Sequence, residues 1–383
     1  MADFIFKISP NIILGPYTLT RLGQVAAEWG SNFMLIADPL LKEFGLPEKA
    51  ITSLEEKNLS VFTYDDIPAT PTTETLENAL SLARGAHIHG VIALGGINTT
   101  SLGRAVAALY TEKSSTVYEF LAGTQVTGVP LPFIAIPTTF RDPFMFMDQT
   151  PVIDARNRQV RLIKIHPASS KAVIIDPNTY MHMSPHTAMS ILFHGLSLAI
   201  EGYISTKSNF FSETILTKAI ELLLLTLDPD QSKLVGTPAE ILTAQGGFMA
   251  SIGVGVSSPG LITAVALACN ARNKISMALV SSVLLPYMLE DAMRAKVDKI
   301  ANIAKMLGIP DSGLAASDMA QAAVEDIRRR LALSGLPTRL KDLGLSIDHL
   351  ASIVEDAIAL DIMNYIPRAM STDDLFDLIK QAY

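Results

Sequence analysis

Short apolar runs alternate with amphipathic stretches through the first half of the chain. The runs are bounded by Gly, Pro, Asp or Asn, which is typical of fully buried parallel strands. They lie at Phe33–Ala37, Ser60–Tyr64, Val91–Leu94, Phe133–Ile136 and Lys171–Ile175. Helical periodicity separates them, for example at Thr73–Arg84 and Ser101–Leu109. The pattern predicts βα units that stack into a largely parallel sheet.

The opening segment has a different pattern. Phe4–Leu14 alternates like a strand but carries Pro10 and Asn11 at its centre, so we predict an edge hairpin or paired strand outside the parallel core. Asp3 and Lys7 interrupt any apolar stretch of the kind a signal peptide requires. We therefore expect no cleaved leader.

After Pro177 the strand pattern ends and long helical patterns follow. We predict a dinucleotide-binding-type α/β domain over residues 1–178 and an all-helical domain over residues 179–383. The uncharged stretch Ile241–Ala271 is long enough to cross a bilayer, but its Gly, Ser and Pro residues predict two packed helices joined at Ser258-Pro259. A capping pattern at Ser371–Asp374 opens the last predicted helix, Thr372–Ala382.

Composition and charge exclude several classes of protein. The 383 residues are 49% hydrophobic and only 18% charged, so much of the chain must be buried. The net charge of −8, without a Lys/Arg cluster, argues against a nucleic-acid partner. A single cysteine, Cys269, cannot form an internal disulfide, which fits a reducing cytoplasm. We expect a cytoplasmic protein without a nucleic-acid or membrane partner.

A glycine-containing segment follows the third of these apolar runs. The chain passes from Val91–Leu94 through Gly95 and Gly96 into small polar residues and a predicted helix. Glycines let the backbone approach phosphate closely, and a helix N-terminus presents unpaired N–H groups. The segment favours a diphosphate site, or else a plain glycine turn capped by Asn98 or Thr99.

Two other strand ends carry polar side chains. Asp38 could accept hydrogen bonds from a ribose 2′-OH and repel a 2′-phosphate, which favours NAD over NADP. It is equally suited to cap a helix that begins at Pro39. Thr138 and Thr139 could reach adenosine or phosphate oxygens, or could satisfy local backbone groups.

Histidine offers few candidates for catalysis. None of the seven histidines lies in an H-E-x-x-H or G-x-S-x-G motif. His194 lies in an otherwise apolar helical stretch, where it is either a core residue or a proton-transfer group.

These segments together resemble the iron-containing, group III alcohol dehydrogenase family from end to end. The segments that match include Gly95–Ser101 to its GGGSxxD loop, Ile136–Thr139 to its IPTT, Glu201–Ser205 to its helical-domain signature, and Asn364–Arg368 to its NPR. The resemblance implies a dinucleotide-binding α/β domain, a helical domain, and NAD-dependent hydride transfer with a small alcohol or carbonyl substrate. It also implies a homodimer, because family members often pair the opening strand across subunits. Arg161 falls near a cofactor-contacting lysine of the family.

The resemblance also brings out departures. Family members bind Fe²⁺ or Zn²⁺ through four ligands, and the matching positions here are His194, Leu198, Thr263 and Met277, while a histidine usually beside the nicotinamide becomes Leu267. One imidazole, one hydroxyl and a thioether cannot hold such a metal, so we expect none. The family's small A-G-T-G-S-E stretch has become Phe140–Met145, whose bulk could line a remodelled pocket or fill the nicotinamide site.

Two hypotheses follow for function. The first is a metal-independent, NAD(P)-dependent oxidoreductase, with NAD favoured over NADP, in which His194 gives or takes the proton and Arg141, Arg272 and Lys274 are further electrostatic candidates. The second is a catalytically silent member that binds a nucleotide or another small ligand.

Overall fold

The structure is a computed structural model that describes residues 9–166, 168–228, 236–311 and 313–383. The chain divides into two compact units, Met1–His182 and Met183–Tyr383. The first is an α/β unit and the second is helical, as the sequence predicts.

Within the described part of the first unit, six parallel strands form one sheet in the order β1-β8-β5-β4-β2-β3. Their bounds are β1 Asn11–Leu14, β2 Asn32–Ala37, β3 Ser60–Tyr64, β4 Gly90–Gly95, β5 Phe133–Pro137 and β8 Ser170–Ile175. A separate antiparallel hairpin joins β6 Gln149–Ile153 to β7 Val160–Lys164, and the sequence pattern did not predict it.

The first strand differs from the predicted edge hairpin outside the parallel core. Asn11–Leu14 pairs in parallel with β8, with Asn11 opposite Ala172, so it is an edge strand of the main sheet and not part of a hairpin. Pro10 precedes the strand, where it removes no ladder hydrogen bond. Residues 4–8 of the predicted segment lie outside the described residues.

Helices cover the sheet of the first unit. They are α1 Leu22–Ala26, α2 Leu46–Glu55, α3 Thr73–Gly85, α4 Ile97–Leu109 and α5 Val117–Leu121. The α4 helix lies directly on the sheet, because a Cβ atom at Gly103 would come within 2.7 Å of the Ala93 Cβ atom. This close approach fixes the start of α4 beside the end of β4.

The second unit is helical throughout its described residues. Its α-helices are α6 Pro185–Ile204, α7 Phe210–Leu227, α8 Ala239–Val256, α9 Leu261–Asn273, α10 Met277–Met306, α11 Ala316–Leu333, α12 Leu350–Ile358 and α13 Thr372–Ala382. The α8 and α9 helices meet at 104°, which confirms two helices in the uncharged stretch. The α6 helix is long and apolar enough to span a membrane, but most of it is buried among its neighbours, as core helices of globular proteins are.

Candidate functional site

Three predicted site segments meet at the carboxyl edge of the parallel sheet. Asp38 follows β2, Gly95 ends β4, and Thr138 follows β5, and these strands are neighbours. The Asp38 N–H donates to the Leu94 carbonyl at 2.9 Å, and the Thr138 N–H donates to the Gly95 carbonyl at 3.0 Å. The hydrogen bonds hold the three strand ends in one continuous edge.

The two glycines play different roles at this edge. A Cβ atom at Gly95 would lie 2.8 Å from Thr99 and 2.9 Å from the Asp38 Cβ atom, so only glycine fits there. At Gly96 a Cβ atom would meet only the Thr139 methyl carbon at 3.7 Å. The Gly96 backbone is therefore open to close approach by a ligand.

The helix that follows starts earlier than the sequence pattern predicts. Gly96 is the N-cap of α4, which begins at Ile97, so neither Asn98 nor Thr99 is the cap. Asn98 and Thr99 instead belong to the first helical turn, whose N–H groups lack intrahelical partners. A helix start of this kind beside an open glycine suits a diphosphate.

Buried hydroxyl groups near the glycine loop mark a region that the sequence did not reveal. The Asn98 side-chain amide donates to the Ala69 carbonyl at 2.6 Å, which joins the loop after β3 to α4. The next residue, Thr70, has a buried hydroxyl without a hydrogen-bond partner, and so has Thr139. Such groups call for ordered water or a ligand oxygen. Only the tertiary contact of Asn98 identifies Thr70, which no local motif singles out.

Asp38 caps a helix, which is one of its two predicted roles, and its geometry also allows the second role, binding of a ribose hydroxyl. Its Oδ1 atom accepts from the Leu40 N–H at 3.1 Å and caps the short 3-10 helix Pro39–Phe44. The carboxylate is half-buried, and its Oδ2 atom takes no part in that hydrogen bond. A ribose hydroxyl could therefore donate to Oδ2.

Arg161 lies on the β6–β7 hairpin and not on a strand of the main sheet. It belongs to β7, where its guanidinium group donates to the Gln159 side chain at 3.1 Å. Among the described residues it makes no hydrogen bond to the strand-end residues. The other predicted cofactor residues lie at strand ends of the main sheet or in the first turn of α4, and the role of Arg161 in cofactor binding stays a prediction.

The loop after Thr139 contains a strained turn. Phe140 has a φ of +60°, and the Arg141 N–H donates to the Thr139 carbonyl at 2.8 Å. A three-residue turn with positive φ is rare and costly for a bulky residue, and such strain concentrates at functional sites. The Phe140 ring is buried and lies 5.5 Å from the ring of Tyr180, which follows β8.

A buried cluster of charges supports the same loop. The Asp142 carboxylate accepts from Arg104 at 2.9 Å, from the Thr100 hydroxyl at 2.9 Å and from the Phe144 N–H at 2.8 Å. Burial lowers the pKa of Arg141 to about 9, and the neighbouring Asp142 partly offsets that effect. The Arg104 guanidinium group supplies the counter-charge for the buried Asp142 carboxylate.

His194 lies deep in the helical unit. It belongs to α6 and is 3% exposed. Leu198 and Glu201 follow it by four and seven residues, so the three side chains share one helix face. The burial of His194 agrees with its interpretation as a core residue. Its role in proton transfer stays a prediction.

Glu201 joins α6 to the start of α9. Its Oε1 atom accepts from the N–H groups of Ile262 at 2.6 Å and Thr263 at 3.1 Å, and its Oε2 atom accepts from the Thr263 hydroxyl at 2.6 Å. Burial raises the pKa of Glu201 to about 7 in spite of these bonds. Thr263 thus serves as a hydrogen-bond donor at a position that the resemblance assigns to a metal ligand.

The residues at the positions that the resemblance assigns to metal ligands do not supply a ligand set for a divalent metal. Leu198 is fully buried and apolar, Thr263 is bonded to Glu201, and Met277 offers a thioether. In the part of the chain that the structure describes, no three His, Cys, Asp or Glu side chains stand close enough to hold a metal ion. Iron and zinc need at least three such ligands.

Comparison with known proteins identifies the same family that the sequence motifs resemble, in both halves of the chain. The family described as iron-containing alcohol dehydrogenase matches residues 9–177, and its C-terminal part, the Fe-containing alcohol dehydrogenase family, matches residues 185–383. Long-chain-alcohol dehydrogenase 1 of Geobacillus thermodenitrificans is 26% identical over 85% of this chain and 83% of its own length. The 1,3-propanediol dehydrogenase of Citrobacter freundii is 23% identical over 98% of this chain and 97% of its own.

A solved structure shares the fold. The crystal structure of a 1,3-propanediol oxidoreductase superposes with a TM-score of 0.90, covering 100% of both chains at 20% identity. The family match covers both units and agrees with the order of the sequence motifs. The chain belongs to the iron-containing alcohol dehydrogenase family, a family of oxidoreductases.

Proposed function

We propose that this protein is an NAD-dependent oxidoreductase that transfers a hydride between the cofactor and a small alcohol or carbonyl compound without a metal ion. The observation that carries the proposal is the open Gly96 backbone at the start of α4, beside the strand-end carboxylate of Asp38. A dinucleotide needs this combination of a diphosphate site and a ribose acceptor.

Each residue at the carboxyl edge of the sheet would bind a different part of the cofactor. Gly95 gives the tight turn, and Gly96 with the first turn of α4 receives the diphosphate. Asp38 accepts from the adenosine ribose and repels a 2′-phosphate, which supports NAD over NADP. The buried hydroxyl of Thr139 lacks a protein partner, which supports a hydrogen bond to a phosphate oxygen, and Thr138 supports the loop through its backbone.

The chemistry divides between cofactor and protein. The nicotinamide ring supplies the hydride exchange. The alcohol oxygen must also gain or lose a proton, and we assign that transfer to the His194 imidazole. If so, His194→Ala abolishes turnover and leaves cofactor binding intact.

A catalytically silent, nucleotide-binding member is the second candidate. Phe140 and Phe144 are fully buried where the resemblance places small residues, so they would fill the space of the nicotinamide ring. Under this alternative the adenosine half binds and no hydride moves.

Calorimetric titration with NADH and NADPH, followed by a panel of aldehydes and oxo acids, separates the candidates. We expect NADH to bind more tightly than NADPH and at least one carbonyl compound to be reduced. Binding without reduction of any compound would favour the silent member. Failure of both NADH and NADPH to bind would reject the oxidoreductase and leave no support for a dinucleotide site at this edge.

The remaining assignments rest on composition and family. We propose a cytoplasmic homodimer with a small-molecule substrate and no nucleic-acid partner, supported by the single cysteine and the net charge of −8. Light scattering tests the dimer, for which a mass of 41.3 kDa in micromolar solution would be the contradicting result.

A further inference from the structure

A small cavity lies in the helical unit, beside the buried carboxylate of Glu201. It is bounded by α6, the start of α9, α10 and the segment that precedes α13. Its free volume of about 20 Å³ is enough for roughly one water molecule. Most of its wall is apolar, and the lining residues include Ile204, Leu261, Met288 and Ile366. The few polar groups in this wall therefore decide what the cavity can hold.

Arg368 is one of the lining residues and carries an unsatisfied hydrogen-bond donor. Its Nη2 atom lies 2.9 Å from the Asp291 Oδ1 atom, and its Nη1 atom lies 3.6 Å from the Asp374 Oδ1 atom. The Nε atom is buried and has no hydrogen-bond partner among the described residues. A buried N–H group is costly unless it finds an acceptor, and ordered water serves where no protein group does.

Glu201 contributes an acceptor to the same cavity. Its Oε1 atom accepts from the N–H groups of Ile262 and Thr263, whereas in the described part of the chain its Oε2 atom accepts from the Thr263 hydroxyl alone. A carboxylate oxygen has two lone pairs, so Oε2 can accept one more hydrogen bond. A donor in the cavity can therefore bind Oε2 and leave the contact with Thr263 in place.

The charges around the cavity favour a neutral ligand over an ion. A cation would lie beside the Arg368 guanidinium group, and an anion would lie against the Glu201 carboxylate, so each meets a like charge. A water molecule can accept from the first group and donate to the second. Two polar partners are enough to hold an ordered water inside a protein.

We propose that this cavity is a hydration site, in which one water molecule accepts from Arg368 Nε–H and donates to Glu201 Oε2. The water joins the ion pair of Arg368 with Asp291 to the contact between Glu201 and Thr263. It thereby links the segment before α13 to the junction of α6 and α9. The site is independent of the proposed function, because neither cofactor nor substrate takes part in it.

The first test replaces the water by a side chain. Ala292 on α10 lines the cavity and is only 2% exposed, so a larger residue there displaces the water. Ala292→Val and Ala292→Thr are matched in shape and in β-branching, but only threonine has a hydroxyl that can form the water's hydrogen bonds. We expect Ala292→Thr to melt at least about 2 °C above Ala292→Val. The reverse order, which a dry apolar cavity gives, would overturn the proposal.

The same pair of variants in an Arg368→Lys background identifies the donor. Lysine keeps a positive charge for Asp291 but has no Nε–H group. We expect the advantage of threonine over valine at position 292 to fall by at least half. An unchanged advantage would mean that the hydroxyl bonds another group, such as a carbonyl of its own helix, and would overturn the assignment of Arg368.

A crystal structure of the wild-type protein, with a second crystal soaked in rubidium chloride, tests the ligand directly. We expect one ordered water at about 3 Å from both Arg368 Nε and Glu201 Oε2, and no anomalous rubidium signal at that position. A rubidium signal there would make the site a cation site and overturn the proposal. An empty cavity, or a water that contacts neither group, would overturn it as well.

Discussion

The Arg104 Nη2 atom lies 2.9 Å from the Asp142 Oδ2 atom, and both side chains are only 1% exposed. The pair joins the middle of α4 to the loop that carries Thr139 and Arg141. Asp142 also accepts from the Thr100 hydroxyl, so one carboxylate connects the helix and the strand-end loop. The geometry of the candidate cofactor site therefore depends on a buried ion pair.

Removing the carboxylate from this pair should be costly. Asp142→Leu leaves the Arg104 cation buried without its counter-charge, and we expect the free energy of unfolding to fall by about 3–5 kcal/mol. The double variant Arg104→Met with Asp142→Leu should recover most of that loss, because neither charge is then buried. Denaturant unfolding of the single and double variants measures the difference. A loss below about 1 kcal/mol, typical of an exposed pair, would contradict the prediction.

The adjacent glycines should respond differently to substitution. Gly96→Val has an allowed φ of −79°, and its Cβ atom would make an ordinary contact with Thr139 at 3.7 Å, so we expect a stability loss of about 1 kcal/mol and loss of NADH binding. Gly95→Ala forces contacts under 3.0 Å with Thr99 and Asp38, so it should destabilise the fold itself. Thermal melts and NADH titration of both variants separate the two effects. Unimpaired NADH binding by Gly96→Val would remove the diphosphate assignment.

Local sequence signals account for the elements that were predicted with the right bounds. Ser60–Tyr64 is rich in β-branched and aromatic residues between polar neighbours, and Thr372–Ala382 begins with the Ser371–Asp374 capping box. Asp38 and the glycine pair were chosen as candidates because ligand sites in parallel sheets lie at strand ends, and both do lie at the carboxyl edge of the sheet.

Features that depend on distant contacts were missed. The Arg104–Asp142 pair joins residues 38 apart, and nothing in the helical pattern of α4 marks Arg104 as buried. The position of β1 depends on its pairing with β8, more than 150 residues away, so its local pattern could not distinguish a hairpin from a parallel edge. Arg161 was chosen from its match to the family, and the hairpin on which it lies was not predicted from the sequence pattern.

Substitution of Asp38 should change cofactor preference without changing stability. Asp38→Asn keeps an oxygen that can cap the helix at Pro39–Phe44, so we expect the free energy of unfolding to stay within about 0.5 kcal/mol. It removes the charge that binds the ribose and repels a 2′-phosphate, so affinity for NADH should fall about tenfold and the preference over NADPH should shrink. Titration with both cofactors checks this. An unchanged preference would assign Asp38 to capping alone.

The altered ligand positions predict a protein that does not depend on metal. We expect elemental analysis of protein purified without chelator to find far less than one Fe or Zn per chain, and added metal to leave the melting temperature unchanged. The combined substitution His194→Asp, Leu198→His, Thr263→His and Met277→His restores the family's ligand types and should bring metal-dependent stabilisation. Near-stoichiometric iron or zinc in the wild type would overturn the ligand assignment.

Glu201 should make the stability of the protein depend on pH. Its pKa is raised from 4.5 to about 7 by burial, so the folded state prefers the protonated carboxyl more than the unfolded chain does. Protonated Glu201 can donate to the Thr263 hydroxyl while its other oxygen still accepts from the Ile262 and Thr263 N–H groups. The nearby Asp291 and Arg368 pair with each other at 2.9 Å, so they offer no lone counter-charge.

The sign of the effect follows from the raised pKa. The stabilisation is fully present below pH 4.5 and is lost as the pH rises through about 7, and the whole difference corresponds to roughly 3 kcal/mol. Glu201→Gln removes the titration but keeps an oxygen for the Ile262 and Thr263 N–H groups. We therefore expect the wild type to lose stability relative to Glu201→Gln between pH 5 and pH 8, as measured by denaturant unfolding. Parallel curves for the two proteins over this range would show that the carboxyl stays ionised, and that its hydrogen bonds to α9 outweigh its burial.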